Sequence, residues 1–349
     1  MIAYGVRDGR VVARRRDGVI AVGDVVSDAV FEQPSLNAFM AQGPDAWRET
    51  RNALLVASVR PEAGQTQQKA MTMPFEVADY VDFYSSIHHA TNLGRLFRPD
   101  SEPLLPNWKH LPVAYHGRAG TVVVSGTDVV RPIGLVQTED GVVRRPSARL
   151  DIELEVGFVV GVGSERNAPI AVDDADKHVF GVVLVNDWSA RDIQAFEYQP
   201  LGPNLGKSFL TSVSAWVVPL EELRGFLRPA PPQDPAPDAH LRGVRDWALD
   251  INLEVEHNGT VISRTNFADL YWTFAQQLAH LTSNGANVRT GDLFASGTVS
   301  GPDPGTYGSL IELGAGFLGD GDRVVLRGWC GEGDDRVDLG EVEGRVDGT

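Results

Sequence analysis

The stretch Leu150-Asp-Ile-Glu-Leu-Glu-Val-Gly-Phe-Val-Val-Gly-Val162 decides the fold class. Its first half alternates strictly between apolar and acidic residues. In a strand, side chains point alternately to opposite faces, so Asp151, Glu153 and Glu155 share one face while Ile152, Leu154 and Val156 share the other. Its second half is apolar on both faces, the pattern of a strand that enters a core. Further strand-like runs lie at Thr121–Val124, Val179–Val185, Ser214–Val218, Ile251–Glu256, Leu310–Leu313 and Asp322–Leu326. Few helical patterns separate them; the strongest is Ala268–Leu281, where Leu270, Phe274 and Leu278 recur at helical spacing. Such an order does not suit a doubly wound parallel sheet and predicts an α+β, predominantly β fold.

An alternating acidic strand read alone is a half-solvated strand. The chain carries its own comparison. Leu253-Glu-Val-Glu256 has the same spacing but runs into Asn258-Gly259, a hairpin turn, so its acids face water near a strand end. Glu153 and Glu155 lead into an apolar run instead. Neighbouring buried carboxylates repel and are costly unless a cation neutralises them. Carboxylate oxygens are hard ligands, which favours Mg²⁺, Ca²⁺ or Mn²⁺ over Zn²⁺. Asp187, at the end of the apolar run Phe180–Val185, is a candidate third ligand, and equally a cap for a helix over Ser189–Ala195. The segment Asp79–Asn92 gathers His88, His89, Asp79, Asp82, Tyr80 and Tyr84. One His there suits a general base and one Asp a further ligand, although adjacent histidines also occur on plain surfaces.

With 31 basic against 47 acidic residues the net charge is −16, which argues against a nucleic-acid partner. The lone cysteine, Cys330, leaves no internal disulfide and suits a reducing compartment. The N-terminus lacks the apolar core of a signal peptide, and Phe180–Val185 is far too short to span a bilayer. A cytoplasmic protein with no membrane partner is expected. Residues 1–72 read as a small N-terminal unit, with strand-like Val11–Ala13 and Val19–Val22 and helical signals at Pro34–Met40 and Pro44–Ala57; residues 73–349 form the main domain. Pro61–Lys69 reads as a linker, Arg228–Pro237 as a surface loop, and the end of the acidic, Gly-rich tail after Gly331 is expected to fray. Gly314-Ala-Gly-Phe-Leu-Gly319 matches a dinucleotide fingerprint, but no helix pattern follows to hold a pyrophosphate, so it reads as a tight turn.

The ordered motifs Asp82-Phe-Tyr-Ser-Ser with His89-Ala-Thr-Asn92, Leu111-Pro-Val-Ala-Tyr-His-Gly-Arg118, Asp187-Trp-Ser-Ala-Arg-Asp-Ile-Gln194, Leu205-Gly-Lys-Ser-Phe209 and Ser296-Gly-Thr-Val-Ser-Gly301 closely resemble the fumarylacetoacetate hydrolase family. The resemblance implies a small N-terminal SH3-like β-barrel, a C-terminal β-sandwich roll, and a homodimer. It implies a small anionic diketo-acid substrate, 4-fumarylacetoacetate, cleaved by water at a carbon–carbon bond in the last step of tyrosine breakdown. By the same resemblance Asp82, Glu153, Glu155 and Asp187 match metal carboxylates, and Lys207 and Thr211 match positions also linked to the ion, Mg²⁺ or Ca²⁺ with Mn²⁺ a further candidate. His89 matches the catalytic base and Glu312 the acid that pairs with it. Arg191, Gln194 and Lys207 match an anion-stabilising cluster, and Tyr84, Arg98, Tyr115, Gln194, Tyr198 and Thr298 match substrate contacts. The segment before the core is shorter than in animal members, Ala114 stands where Gly is usual, and Phe196 replaces a Trp. Plainer roles exist: Arg191 pairing with Asp192, Lys207 capping a turn, Tyr84 and Tyr198 as core aromatics. Rival functions are hydrolysis or decarboxylation of another acylpyruvate-like acid, or a silent cation-stabilised scaffold.

Overall fold

The computed structural model describes residues 1–58 and 71–348, so the linker expected at Pro61–Lys69 lies outside the described residues. Two strands form its spine. Leu154–Val160 and Val179–Asp187 pair antiparallel, with Leu154 opposite Asn186 and Glu155 opposite Val185, and every residue of both is buried. Their Val, Leu and Phe content suits a strand covered on both faces. Leu293–Ala295, Tyr80–Phe83 and Ala114–His116 extend the sheet on one side, and Thr211–Val213 and Val122–Val124 on the other. A five-stranded sheet, ordered Thr260–Asn266, Asn252–His257, Arg323–Cys330, Val337–Asp347 and Val129–Val130, supplies a second layer. Its Leu253 and Leu326 share one core with Phe158, Val182 and Leu184 of the spine.

The opposite face of the spine is covered by the N-terminal segment. There Gly18–Ala21, Arg10–Arg15, Ala3–Arg7 and Met71–Thr72 make a four-stranded antiparallel sheet. Ile2, Tyr4, Ile20 and Phe39 pack with Val159, Phe180, Val183 and Val185 in a second core. The Phe180 ring sits 5.8, 5.6 and 5.2 Å from the rings of Tyr4, Phe39 and Trp47. Alternate residues of one strand therefore serve two cores, as period-two geometry requires.

The predominantly β reading agrees with this architecture, but several elements differ from expectation. Leu150–Val162 is not continuous: Leu150–Asp151 pairs with Ser189–Ala190, and pairing in the main sheet resumes at Leu154. The break follows from Asp151, whose carboxylate takes the backbone N–H of Ile152 at 2.7 Å. Ser214–Val218 is not a strand: Thr211–Val213 ends before it and only Val218 enters the next, Val218–Pro219, while the Ser214 hydroxyl accepts from Leu184 N and donates to Trp216 O. Leu310–Leu313 is a four-residue helical turn, not a strand, closed by Gly314 at φ 64°. The dinucleotide-like run after it passes without a helix into Arg323–Cys330. Most of the tail is a strand, Val337–Asp347, whose Val337, Leu339, Val342 and Val346 are buried; its last residue lies outside the described residues. Its Gly and acidic residues masked that apolar spacing. The helix expected over Ala268–Leu281 begins only at Phe274, where Thr273 and Gln276 form a capping box, and ends at Thr282. The Asn258-Gly259 hairpin turn, joining Asn252–His257 to Thr260–Asn266, is as expected. Among the described residues no helix is long and apolar enough to cross a membrane.

Candidate active site

Four carboxylates converge where the spine strands end. Glu155 lies in Leu154–Val160, Asp187 closes the neighbouring strand, Asp82 lies in Tyr80–Phe83, and Glu153 sits in the break after Asp151. Each offers an oxygen, and these oxygens lie within 4.8 Å of one another, all on buried residues. Glu153 takes a hydrogen bond from Arg191 Nη1 at 2.7 Å and another from Lys207 Nζ. Asp187 takes Lys207 Nζ at 2.8 Å, and the hydroxyls of Tyr115 and Thr211 at 2.9 Å each. Asp82 Oδ1 and both Glu155 oxygens have no partner among the described residues. Burial, and then the charges of Asp187 and Glu153, push the Asp82 carboxyl well above the usual range. Burial and the charges of Asp82 and Asp187 do the same to Glu155. Glu153 moves the other way: burial raises it, but Lys207 and Arg191 outweigh burial. Orphaned, buried, all-oxygen donors at this spacing fit a hard divalent cation. Glu254 and Glu256, by contrast, sit near the surface and are neutralised by Arg264, Arg323 and Arg327.

Asp187 is not a helix cap. The helix after it runs Arg191–Glu197 and has no side-chain cap. Nor does Arg191 pair with Asp192, which instead takes Ser147 Oγ and the Ala148 N–H. Arg191 is buried, with Nε on Asp151 at 2.8 Å and Nη1 shared between Glu153 and Gln194 Oε1, the latter at 3.1 Å.

The histidine sits on Ile87–Phe97, a helix capped by Ser86, whose hydroxyl accepts the His89 N–H at 3.1 Å. His89 Nδ1 lies 2.7 Å from Glu312 Oε2. Glu312 also accepts from Ser309 at 2.7 Å, Ser300 at 2.9 Å and Asn92 at 3.0 Å. Burial alone would raise its carboxyl; the charge of His89 and the hydrogen bonds from His89, Ser309 and Asn92 bring it down to about 2. The ring is thereby fixed with Nε2 as its free face. Asn92, Ser300 and Ser309 were not singled out from sequence. Only Asn92 carried a local signal, standing one helical turn after His89.

A cavity of about 410 Å³ joins the two groups, lined by Asp82 and Glu153 of the cluster and by His89. Tyr84, Arg98, Tyr115, Gln194, Tyr198, Lys207 and Thr298 also line it, among apolar residues such as Leu93, Phe97 and Trp108. Arg191, Glu155 and Glu312 stand behind the lining, and Asp187 and Thr211 face a second cavity of about 590 Å³ that also touches Tyr115 and Lys207. Arg98 spends one Nη on Pro103 O at 2.7 Å, while its Nε and the Thr298 hydroxyl have no partner among the described residues. Thr298 reaches the cavity because Gly297 precedes it at φ 77°, where a Cβ would stand 2.2 Å from Phe83 O.

Comparison with known proteins agrees with the geometry. Residues 79–347 match the family model described as fumarylacetoacetate (FAA) hydrolase C-terminal, and residues 13–79 match fumarylacetoacetase N-terminal. The chain belongs to the fumarylacetoacetate hydrolase family. Among its relatives in that family, the fumarylacetoacetase of Rattus norvegicus is 44% identical over 397 aligned positions, covering 99% of this chain and 94% of that one. The Homo sapiens fumarylacetoacetase is 43% identical with the same coverage, and that of Arabidopsis thaliana is 44% identical over 93% of this chain and 85% of its own. A solved fumarylacetoacetate hydrolase from Exiguobacterium antarcticum superposes with a TM-score of 0.64 at 17% identity over 100% of both chains. A maleylpyruvate hydrolase from Sphingobium sp. SYK-6 gives 0.59 at 16% identity, over 99% of this chain and 100% of that one. At such identities these two structures speak for the fold alone.

Proposed function

We propose that this fumarylacetoacetate hydrolase family member cleaves 4-fumarylacetoacetate to fumarate and acetoacetate, in tyrosine and phenylalanine catabolism. The observation that carries this reading is a single cavity lined both by His89, backed by Glu312, and by Asp82 and Glu153 of the buried carboxylate cluster. Relatives at 43–44% identity over nearly the whole chain support it.

Asp82, Glu153, Glu155 and Asp187 would hold a divalent cation, Mg²⁺ or Ca²⁺ with Mn²⁺ a further candidate. Thr211 and Lys207 serve that set through their bonds to Asp187, since a charged lysine has no lone pair to give. Such an ion, when bound, would supply Lewis-acid chemistry, polarising substrate carbonyl oxygen and offsetting negative charge that develops there. The remaining work belongs to the chain. His89 Nε2 takes the proton of the water that attacks the carbonyl beside the scissile bond, while Glu312 holds Nδ1 and balances the imidazolium. Lys207 and Gln194 place donors where the tetrahedral oxyanion forms, with Arg191 steadying Gln194. The carbon–carbon bond then breaks, its electron pair leaves with the acetoacetate half, and the proton held by His89 is available to that half. Arg98, Tyr84, Tyr198 and Thr298 bind the polar ends of the substrate, and the free Arg98 Nε suits a carboxylate. Tyr115 acts from the cluster side, its hydroxyl committed to Asp187.

The N-terminal strands stand as a shortened SH3-like barrel and the rest as a β-sandwich roll, divided near residue 72; the junction of the two family models at residue 79 supports that division. A cytoplasmic homodimer fits the family. Ile133, Leu135 and Val142, 43–50% exposed on the hairpin Ile133–Thr138 and Gly141–Pro146, supply an apolar surface for a second copy. Assay of fumarylacetoacetate beside a panel of acylpyruvates tests the activity. Turnover of an acylpyruvate without turnover of fumarylacetoacetate would replace this substrate. His89→Ala is expected to remove turnover while folding and cation binding persist.

A further inference from the structure

Asp151 lies outside the carboxylate cluster and outside the cavity lining, yet it is fully buried and accepts four hydrogen bonds. Oδ1 takes the backbone N–H groups of Ile152 at 2.7 Å and Leu310 at 2.8 Å. Oδ2 takes Ile311 N at 3.2 Å and Arg191 Nε at 2.8 Å. Leu310 and Ile311 open the four-residue turn that carries Glu312. The first N–H groups of a helical turn have no partner inside it, so a carboxylate behind them fixes where the turn begins.

We propose that Asp151 is a positioning residue, holding the His89–Glu312 pair and the Arg191–Gln194 group in one frame. Both elements contact Asp151 directly: the turn that presents Glu312, and the guanidinium that holds Gln194 and Glu153. A carboxylate present only to neutralise Arg191 would not need the N–H groups immediately ahead of Glu312. The residue touches neither substrate nor the reacting atoms, and acts through Glu312 and Arg191. The proposal rests on the hydrolytic reading of the site, so its test includes a readout that needs no substrate.

Asp151→Asn keeps the shape but presents an amide to donors on one side. A displacement of catalytic groups by about 1 Å lowers rates about a hundredfold. The expected result is a fall in kcat of that order, KM within about threefold, and an unchanged affinity in a direct Mn²⁺ titration. In the Glu312→Gln background the same change should cost clearly less kcat than in the parent, because the route through Glu312 is already cut and only the route through Arg191 remains. The proton between His89 Nδ1 and Glu312, followed by NMR in the unliganded protein, should shift or broaden in Asp151→Asn; this holds whatever the substrate proves to be. Full additivity with Glu312→Gln, or an unmoved proton resonance, would overturn the proposal. Should Asp151→Asn fail to fold, Leu310→Pro removes one of the same bonds at a first-turn position preceded by extended Ser309, which suits proline. A folded Leu310→Pro with parental kcat and resonance would also overturn it.

Discussion

Replacing Glu312 by glutamine removes one charge while leaving the side-chain outline in place. The carboxylate now faces four donors: His89, Ser300 and Ser309 on Oε2, and Asn92 on Oε1. A glutamine that keeps its oxygen toward His89 turns its amide toward Asn92, and Asn92 restores a bond by flipping its own amide. The fold and cation binding should therefore be kept, with stability lowered by no more than the depressed Glu312 carboxyl contributes. The imidazolium formed when His89 accepts a proton loses its counter-charge. For unit charges about 4 Å apart at an effective dielectric near 20, that interaction is about 4 kcal/mol, or roughly a thousandfold in rate. Since the charge pair exists only once the proton has moved, the loss should fall on kcat and leave KM close to the parent. Steady-state kinetics following the diketone absorbance, with metal content measured on the same samples, checks this. A Glu312→Gln protein with kcat within about threefold of the parent would refute the pairing of these residues in catalysis.

Chelation by EDTA should abolish turnover, and Mg²⁺, Ca²⁺ or Mn²⁺ should restore it; an ion at about a hundred times its Kd should add about 2.7 kcal/mol to stability, seen as a rise in Tm. Full turnover of a protein shown to be metal-free would contradict the cation role. Glu155→Gln replaces a fully buried carboxylate that has no partner among the described residues. It should weaken Mn²⁺ binding by more than about a hundredfold while leaving the metal-free protein as stable as the parent or more so, as paired titration and thermal denaturation would reveal. Glu312 also predicts a pH effect. Its carboxyl is held at about 2 against an ordinary 4.5, so its contribution, at most about 3 kcal/mol, is complete above pH 4.5 and disappears as pH falls toward 2. Urea unfolding across that range should show parent and Glu312→Gln stabilities converging in acid; a constant gap would contradict the shift.

The part of the site legible from residues alone was the part carried by one strand. Glu153 and Glu155 announced themselves by alternating into an apolar run, and contrast with Glu254 and Glu256 was sufficient to separate cluster from surface. The break at Asp151 was not legible: an Asp that turns back on its own next N–H looks no different in sequence from one that faces outward, and its other backbone partners lie 159 and 160 residues away. The same distance hid the Leu310–Leu313 turn, whose apolar spacing fits a strand until a remote carboxylate caps it. His89 and Glu312 are 223 residues apart, and no local pattern links them. That pair entered through family resemblance, as did Arg98 and Thr298. In the fold, Val337–Asp347 was missed because its partner strand, Arg323–Cys330, supplies what its composition lacks.

The strand that ends in Asp187 begins beside Phe180, and Phe180 is held by Tyr4, Phe39 and Trp47. Among the described residues the N-terminal segment supplies none of the four clustered carboxylates, yet it is the anvil against which that strand is set. Lesions there should be read out at the far end of the beam. A truncation at Tyr4 or Phe39 would surface first as weakened retention of the ion, and a protein trimmed of its first residues for convenience would be a poor stand-in for the enzyme. Inherited or engineered changes in this segment thus belong in the same class as changes to the ligands themselves.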